Sequence, residues 1–334
     1  MFRIIGSRLL EKVSTMRGLV ITLVALTFFS AMFITNDVAL VTFVPFAVAV
    51  LIMAGQEDKT ILVVTLMTIG ANVGSMLTPI GNAHNLYLKA LTGMPTMEFL
   101  GIMAPYSGTA AVLLVIVISV VFGGKPVGDL GDLETGVLAP ERNKHQPDEI
   151  RITGYGAGYG GWRTIVYSLL FIVCLLAVSD VIPLWVMCVI VVVVFLFTDR
   201  RVFKYVDWGL PLTFCMFFIF IGNMKRVPEF YQLARSLVGG HPLEVAVASS
   251  QVISNVPTTI LLSGFCDQWR DLIIGTNLGG MGTLIASMAS LISYKNVVRQ
   301  YPHKKGRYLA VYSAVNVLFL AVLLTLSWII EPSL

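Results

Sequence analysis

Two short polar sequences interrupt long apolar stretches: Thr35-Asn36-Asp37 within Leu19–Ala54, and Ser254-Asn255-Val256-Pro257 within Leu243–Phe265. Asn36 and Asn255 each offer an amide donor and a carbonyl acceptor, and Thr35 and Ser254 add hydroxyls. Downstream of each tip lies a Gly/Asn/Thr sequence containing Thr78 or Thr283. A helix broken there frees carbonyls that can hold a cation, while the amides at the restarted helix favour an anion. No Lys or Arg stands near either tip, so an anion bound there is held by amides and hydroxyls. Residues of these types recognise small ions; they do not make or break covalent bonds.

The two downstream sequences are copies of one another. Ile69-Gly-Ala-Asn-Val-Gly-Ser-Met-Leu-Thr-Pro-Ile-Gly-Asn82 matches Ile274-Gly-Thr-Asn-Leu-Gly-Gly-Met-Gly-Thr-Leu-Ile-Ala-Ser287 at an offset of 205, with seven of fourteen positions identical. Upstream of each lies a matching tip, Ile34-Thr35-Asn36 or Ile253-Ser254-Asn255. A single motif of this kind reads most simply as small polar residues gluing helices together. Two matched pairs in the same order favour a binding site over glue.

The elements that must carry these residues follow from composition. The 334 residues are 56% hydrophobic and 13% charged, with a mean hydropathy of +0.83. Soluble domains carry roughly 25% charged residues. Half that share cannot cover a soluble surface, which excludes a soluble enzyme, a secreted disulfide scaffold and a disordered chain. The apolar residues fall in blocks that a bilayer core of about 30 Å selects, at ~20 residues per span. The expected fold is an all-α polytopic membrane protein built on inverted repeats, each with a re-entrant hairpin and an interrupted transmembrane helix. The first repeat, residues 1–122, holds a hairpin at 19–54, a broken helix at 61–88 and a helix at 99–122. A cytoplasmic loop covers 123–163. Residues 164–334 hold linking helices (Thr164–Val181, Leu184–Thr198, Leu210–Met224), an amphipathic piece (Pro228–Leu237), and the second repeat. That repeat comprises a hairpin at 243–265, a broken helix at 272–294 and a last helix at 308–330.

Basic residues set the threading. If Leu19–Ala54 enters and leaves on one face and Leu243–Phe265 on the other, 18 of the 23 Lys and Arg fall inside, as the positive-inside tendency requires. Treating Leu243–Phe265 as one ordinary span would put Lys295–Arg307, with five basic residues, outside. Its 23 residues are too few for two spans at ~20 each. The two broken helices therefore run in opposite directions. Inverted repeats with helices interrupted at matching places describe secondary transporters, whose site lies between the copies near the midplane. The basic start, Met1–Arg17, is expected in the cytoplasm, and no cleavage site follows it, so no signal peptide is read.

Other motifs fail on context. Gly156-Ala-Gly158-Tyr-Gly-Gly161 has the letters of a dinucleotide fingerprint but no strand before it. Gly124-Lys125 is followed by Pro, so no P-loop exists, and HExxH is absent. Asp37 and Asp180 are not placed together by the threading, against an intramembrane aspartyl protease. The four cysteines lie far apart without metal-ligand spacing and read as packing residues. The net charge of +4 marks cytoplasmic loops, with no nucleic acid implied. Trp185, Trp208, Tyr294 and Tyr308 fall at block ends and are expected to anchor at the membrane interface. No cofactor is expected.

At Phe28-Phe-Ser-Ala-Met-Phe-Ile-Thr-Asn-Asp-Val-Ala-Leu40, Gly74-Ser-Met-Leu-Thr-Pro-Ile-Gly-Asn82 and Ser254-Asn-Val-Pro257 the sequence resembles the ion transporter superfamily. The resemblance is to its branch of arsenite/silicate-type anion permeases and citrate or dicarboxylate:cation symporters, over nearly the whole chain. It implies a cation site at each tip with its neighbouring break, and a small anionic substrate between them. Thr35, Asn36, Gly74 and Thr78, with Asn82 closing the motif, would make the first site; Ser254, Asn255, Gly279 and Thr283 would make the second. Na+ would be held at Asn36, Thr78, Asn255 and Thr283, with Na+ or H+ as the coupling ion. A homodimer in the cytoplasmic membrane is also implied.

Three features depart from that pattern. Asp37 stands where carboxylate symporters carry a neutral residue and is similar to the arsenite-permease branch. It either carries a coupling proton or completes a cation site, or it caps the helix beginning at Val38. His84 stands where relatives carry Gln; proton linkage competes with a helix-end histidine facing water or a neighbour. The helix equivalent to Leu210–Met224 has no counterpart before the first hairpin, where Ser7–Ser14 is the expected match for Pro228–Leu237. The expected function is secondary active transport of a small carboxylate-type anion coupled to Na+ or H+. The alternatives are arsenite/metalloid efflux or cation/proton antiport, and a truncated or non-transporting membrane subunit.

Overall fold

A computed structural model describes residues 15–124, 161–179, 181–204, 206 and 208–330. The glycine-rich motif at 156–161, most of the 123–163 loop, Ser7–Ser14 and Asp180 lie outside the described residues. The regular elements are helical, as expected for an all-α polytopic membrane protein. Among the described residues four helices are long and apolar enough to cross a membrane: Met16–Ile34, Asn36–Met53, Thr96–Val121 and Pro302–Ile330.

Of the described residues, those in 15–124 and 212–330 form one compact unit, and those in 161–211 another. In the smaller unit, α6 (Gly161–Val178) packs on α7 (Leu184–Thr198). The Tyr167 ring stacks on Phe195 at 5.6 Å between centroids. Trp185 is exposed, as an interfacial anchor should be.

The larger unit carries the tips and breaks. In its first half α1 (Met16–Ile34) and α2 (Asn36–Met53) meet at Thr35, followed by α3 (Thr60–Ser75), α4 (Ala83–Thr92) and α5 (Thr96–Val121). Linking helices α8 (Gly209–Met224) and α9 (Pro228–Gly239) precede the second half. There α10 (Pro242–Ile253) and α11 (Asn255–Leu262) meet at Ser254, followed by α12 (Trp269–Leu278), α13 (Met288–Gln300) and α14 (Lys305–Ile330). The first hairpin's arms, 19 and 18 residues, are each about 28 Å long at ~1.5 Å per residue. The second's, 12 and 8 residues, reach only about 18 and 12 Å.

The packing pairs the halves in matched fashion. The first arm of each hairpin lies on the first piece of its own broken helix: α1 on α3, α10 on α12. The second arm crosses over, α2 packing on α13 and α11 on α4. Close approach demands glycine where the helices touch. A Cβ on Gly74 would meet the Phe28 carbonyl oxygen at 2.2 Å, and one on Gly279 would meet Ser250 Oγ at 2.7 Å.

Two expectations are corrected here. Tyr308 is fully buried, stacked on Tyr312 at 5.7 Å, and is not an interfacial anchor. Its helix begins at Lys305, so Tyr308 sits one turn inside, where the Thr68–Ser293 hydroxyl pair and Tyr312 make a polar layer. Of the cysteines only Cys266 is buried; Cys188 and Cys215 are exposed on apolar helices, so packing does not explain them.

Candidate functional site

Both tips adopt the same unusual backbone. Thr35 has φ 72° and ψ 150°, and Ser254 has φ 73° and ψ 153°. This region is populated almost only by glycine and costs roughly 1–3 kcal/mol, a cost that persists where surrounding structure fixes the residue. Among the described residues these are the only non-glycine residues with positive φ. The structure thus gives the two matched residues one shared strained geometry.

The breaks that receive the tips arise differently. In the first, Met76–Asn82, Pro79 cannot continue a helix and turns close from Leu77 N–H to Gly74 O and from Gly81 N–H to Thr78 O. In the second Leu284 replaces that proline, and the chain leaves helical geometry at Gly279, Gly280 and Gly282, the last with φ 110°. Asn82 and Ser287, both extended and buried, start the second helical pieces α4 and α13.

Each tip is tied to its break by the same pair of bonds. Asn36 N–H donates to Gly81 O at 3.2 Å, and Asn255 N–H to Ala286 O at 2.9 Å. The Thr78 hydroxyl donates to Met32 O at 2.5 Å and the Thr283 hydroxyl to Gln251 O at 3.0 Å. Met32 and Gln251 each lie three residues before their tip.

A chain of amides then links one half to the other. Asn36 Nδ2 donates to Asn72 Oδ1 at 3.0 Å, and Asn72 Nδ2 reaches Gly280 O at 3.5 Å. Gly280 lies against the Asn255 amide, which a Cβ there would meet at 2.9 Å. Ser287 Oγ also reaches Asn72 Oδ1, at 3.4 Å. Beside this chain Asn277 Nδ2 donates to Asn85 Oδ1 at 2.7 Å. Asn36, Asn72, Asn255, Asn277 and Asn85 are all buried, an expensive placement unless every amide is paired.

The expected residues therefore divide. Asn36, Asn255, Gly74, Gly279 and Asn82 are buried at the tip–break contacts, whereas Thr35, Asp37, Thr78 and Ser254 are half-buried and Thr283 is exposed. Asp37 begins α2 and its N–H bonds to Asn36 Oδ1 at 2.9 Å, but its carboxylate caps nothing. His84 faces no water: its ring is 1% exposed, lies against Asn277, and makes no well-formed hydrogen bond with its nitrogens. Residue reading missed Asn72, Asn277, Asn85, Ser287 and Gln251. Asn72 and Asn277 are identical positions of the repeat and were visible there; Gln251 and Asn85 have no counterpart in the other copy, so repetition could not point to them.

The family model for citrate transporters (CitMHS) matches residues 1–268, taking in the first hairpin and break and the second tip. This chain belongs to the citrate transporter family. Among its relatives is the Escherichia coli (strain K12) inner membrane protein YbiR, 30% identical over 88% of this chain and 73% of YbiR. Another is the uncharacterized transporter MJ0456 of Methanocaldococcus jannaschii, 29% identical over 91% of this chain and 77% of that protein. The protein is a multi-pass membrane transporter of this family and not an enzyme.

Proposed function

We propose that this citrate-family transporter moves a small carboxylate-type anion across the cytoplasmic membrane, coupled to a cation. The observation that carries this reading is the pair of strained tips, each docked in a matched break and joined through Asn36, Asn72, Gly280 and Asn255. Thr35, Asn36, Asp37, Gly74, Thr78 and Asn82 form the first half of the site, and Ser254, Asn255, Gly279 and Thr283 the second. Amides and hydroxyls are the groups at these positions that suit carboxylate oxygens, and those now bonded within the protein would exchange partners when an anion binds.

The tip–break contacts also support re-entrance. Gly81 and Ala286, which receive the tips, lie within the interruptions of the two helices, away from either end. A tip bonded there sits near the midplane, although the first hairpin's arms are long enough to span. With 18 of 23 basic residues inside, the tips enter from opposite faces and the start of the chain is cytoplasmic.

Uptake into proteoliposomes of citrate and C4-dicarboxylates, under imposed sodium or proton gradients, tests the reading. Asn255→Ala should abolish uptake; full activity in that variant would refute the site. Arsenite or metalloid efflux is a second reading, favoured by the Asp37 carboxylate at the first tip, and arsenite belongs in the same assay.

A further inference from the structure

The two breaks are matched in backbone but not in what fills them. In the second, Gln251 reaches across from α10 and its Nε2 donates to Gly279 O at 3.0 Å and Met281 O at 2.9 Å, with Val247 O at 3.2 Å. Its Oε1 accepts from Thr283 N–H at 2.8 Å. The break is shaped around this amide: a Cβ on Gly282 would meet Gln251 Oε1 at 2.3 Å. Carbonyls freed by an interrupted helix are what a transporter offers to a coupling cation. Here a neutral donor already satisfies them.

In the first break the corresponding carbonyls belong to Gly74 and Met76, and the residue in Gln251's place is Met32. A thioether donates nothing. Among the described residues no side chain donates to those two carbonyls: Gly74 O accepts a backbone turn bond from Leu77 N–H at 3.2 Å, no bond reaches Met76 O, and Asn85 Nδ2 reaches only Ser75 O and Thr78 O, each at 3.4 Å. A second difference points the same way. Asp37 follows the first tip where the second has Val256. Its carboxylate is half-buried and makes no hydrogen bond or ion pair among the described residues. A charge so placed needs a counter-ion. One half is anionic and has no side chain among its carbonyls; the other is neutral and filled by one.

We propose that alkali-cation binding is confined to the first break, and that the Gln251 carboxamide stands in the second where a cation would otherwise sit. The inference rests on the transport reading and makes that transport a single-site coupling, with one alkali cation bound per substrate site.

The test is thermal unfolding of the full chain in detergent, titrated with sodium chloride against choline chloride at constant ionic strength and pH. A ligand that binds the folded state raises its midpoint. The wild type should give a saturable rise with a Hill coefficient of ~1, since the coefficient is bounded by the number of sites. Asp37→Asn should flatten it. Gln251→Met, which copies the first break, should add a second sodium-dependent phase. Gln251→Glu, which puts a carboxylate among the carbonyls, should unfold below wild type in choline and recover in sodium. A flat wild-type curve, a two-site wild-type curve, an unchanged Asp37→Asn curve, or wild-type curves in both Gln251 variants would each overturn the proposal. Anion uptake with a two-site curve would sink this inference and leave transport standing; the expected sodium pattern without uptake of any anion would do the reverse.

Discussion

Gly74→Ala isolates how closely the first hairpin must seat on its broken helix. The added Cβ would lie 2.2, 2.8 and 3.0 Å from the O, C and Cα of Phe28. All three are backbone atoms inside α1, so no side chain can rotate away. Restoring an ordinary carbon–oxygen contact of about 3.3 Å requires α1 and α3 to part by roughly 1 Å, and a gap of that size forfeits a quarter to a half of the dispersion across the interface. Overpacking typically costs about 1–3 kcal/mol, and a rigid backbone obstacle belongs at the top of that range. Replacing a helical glycine returns about 1 kcal/mol. The net loss is then about 2 kcal/mol, which lowers the unfolding midpoint by roughly 3 °C in a chain of this size. Gly279→Ala meets a side chain, Ser250, along with the Gly275 carbonyl, and should lose less. Gly101→Ala faces open space on an exposed helix surface and should be neutral or stabilising. Detergent-solubilised proteins compared at one scan rate, because such unfolding is kinetic, should rank Gly101→Ala above Gly279→Ala above Gly74→Ala. If Gly74→Ala melted at or above the wild type, the close approach of α1 to α3 would be wrong and the tip would not sit in the break as described.

Three further outcomes follow from the same geometry. Ser254→Gly relieves backbone strain worth roughly 1–3 kcal/mol at the expense of a more flexible unfolded chain, so it should raise the midpoint while lowering anion uptake; equal or higher uptake would mean the tip hydroxyl is not used. Asn72→Leu strands Asn36 Nδ2 and Ser287 Oγ without partners and should cost about 2 kcal/mol, read as a lower midpoint, whereas Thr42→Val on an exposed stretch of α2 should change little. Val252→Cys, at an exposed position beside the second tip, should react with a membrane-impermeant maleimide only from the extracellular face in a protein lacking the four native cysteines; labelling from the cytoplasm would overturn the re-entrant threading.

The sequence by itself determined the environment, the order of helices and the existence of two copies. A charged fraction of 13% leaves no soluble alternative; a repeat with seven identities in fourteen marks Thr78 and Thr283, and the matching tips upstream of it mark Asn36 and Asn255. Those marks are local: a polar residue inside an apolar block, or a glycine at a fixed spacing, is visible wherever the chain goes. Only the tertiary structure decided how the halves meet. The crossover of α2 onto α13 and α11 onto α4 places Asn72 within reach of Gly280, 208 residues away. Long-range packing also buries Tyr308, expected at the membrane interface, and resolves His84, expected to face water or a neighbour, in favour of the neighbour Asn277. Gln251 is the sharpest case. Nothing about a lone glutamine on a short helix sets it apart, because its importance lies in four partners on the backbone of α10 and of a segment some thirty residues on. Hydrogen-bond partners are fixed by distance in space, and spacing along the chain records that distance only within a single helix or turn.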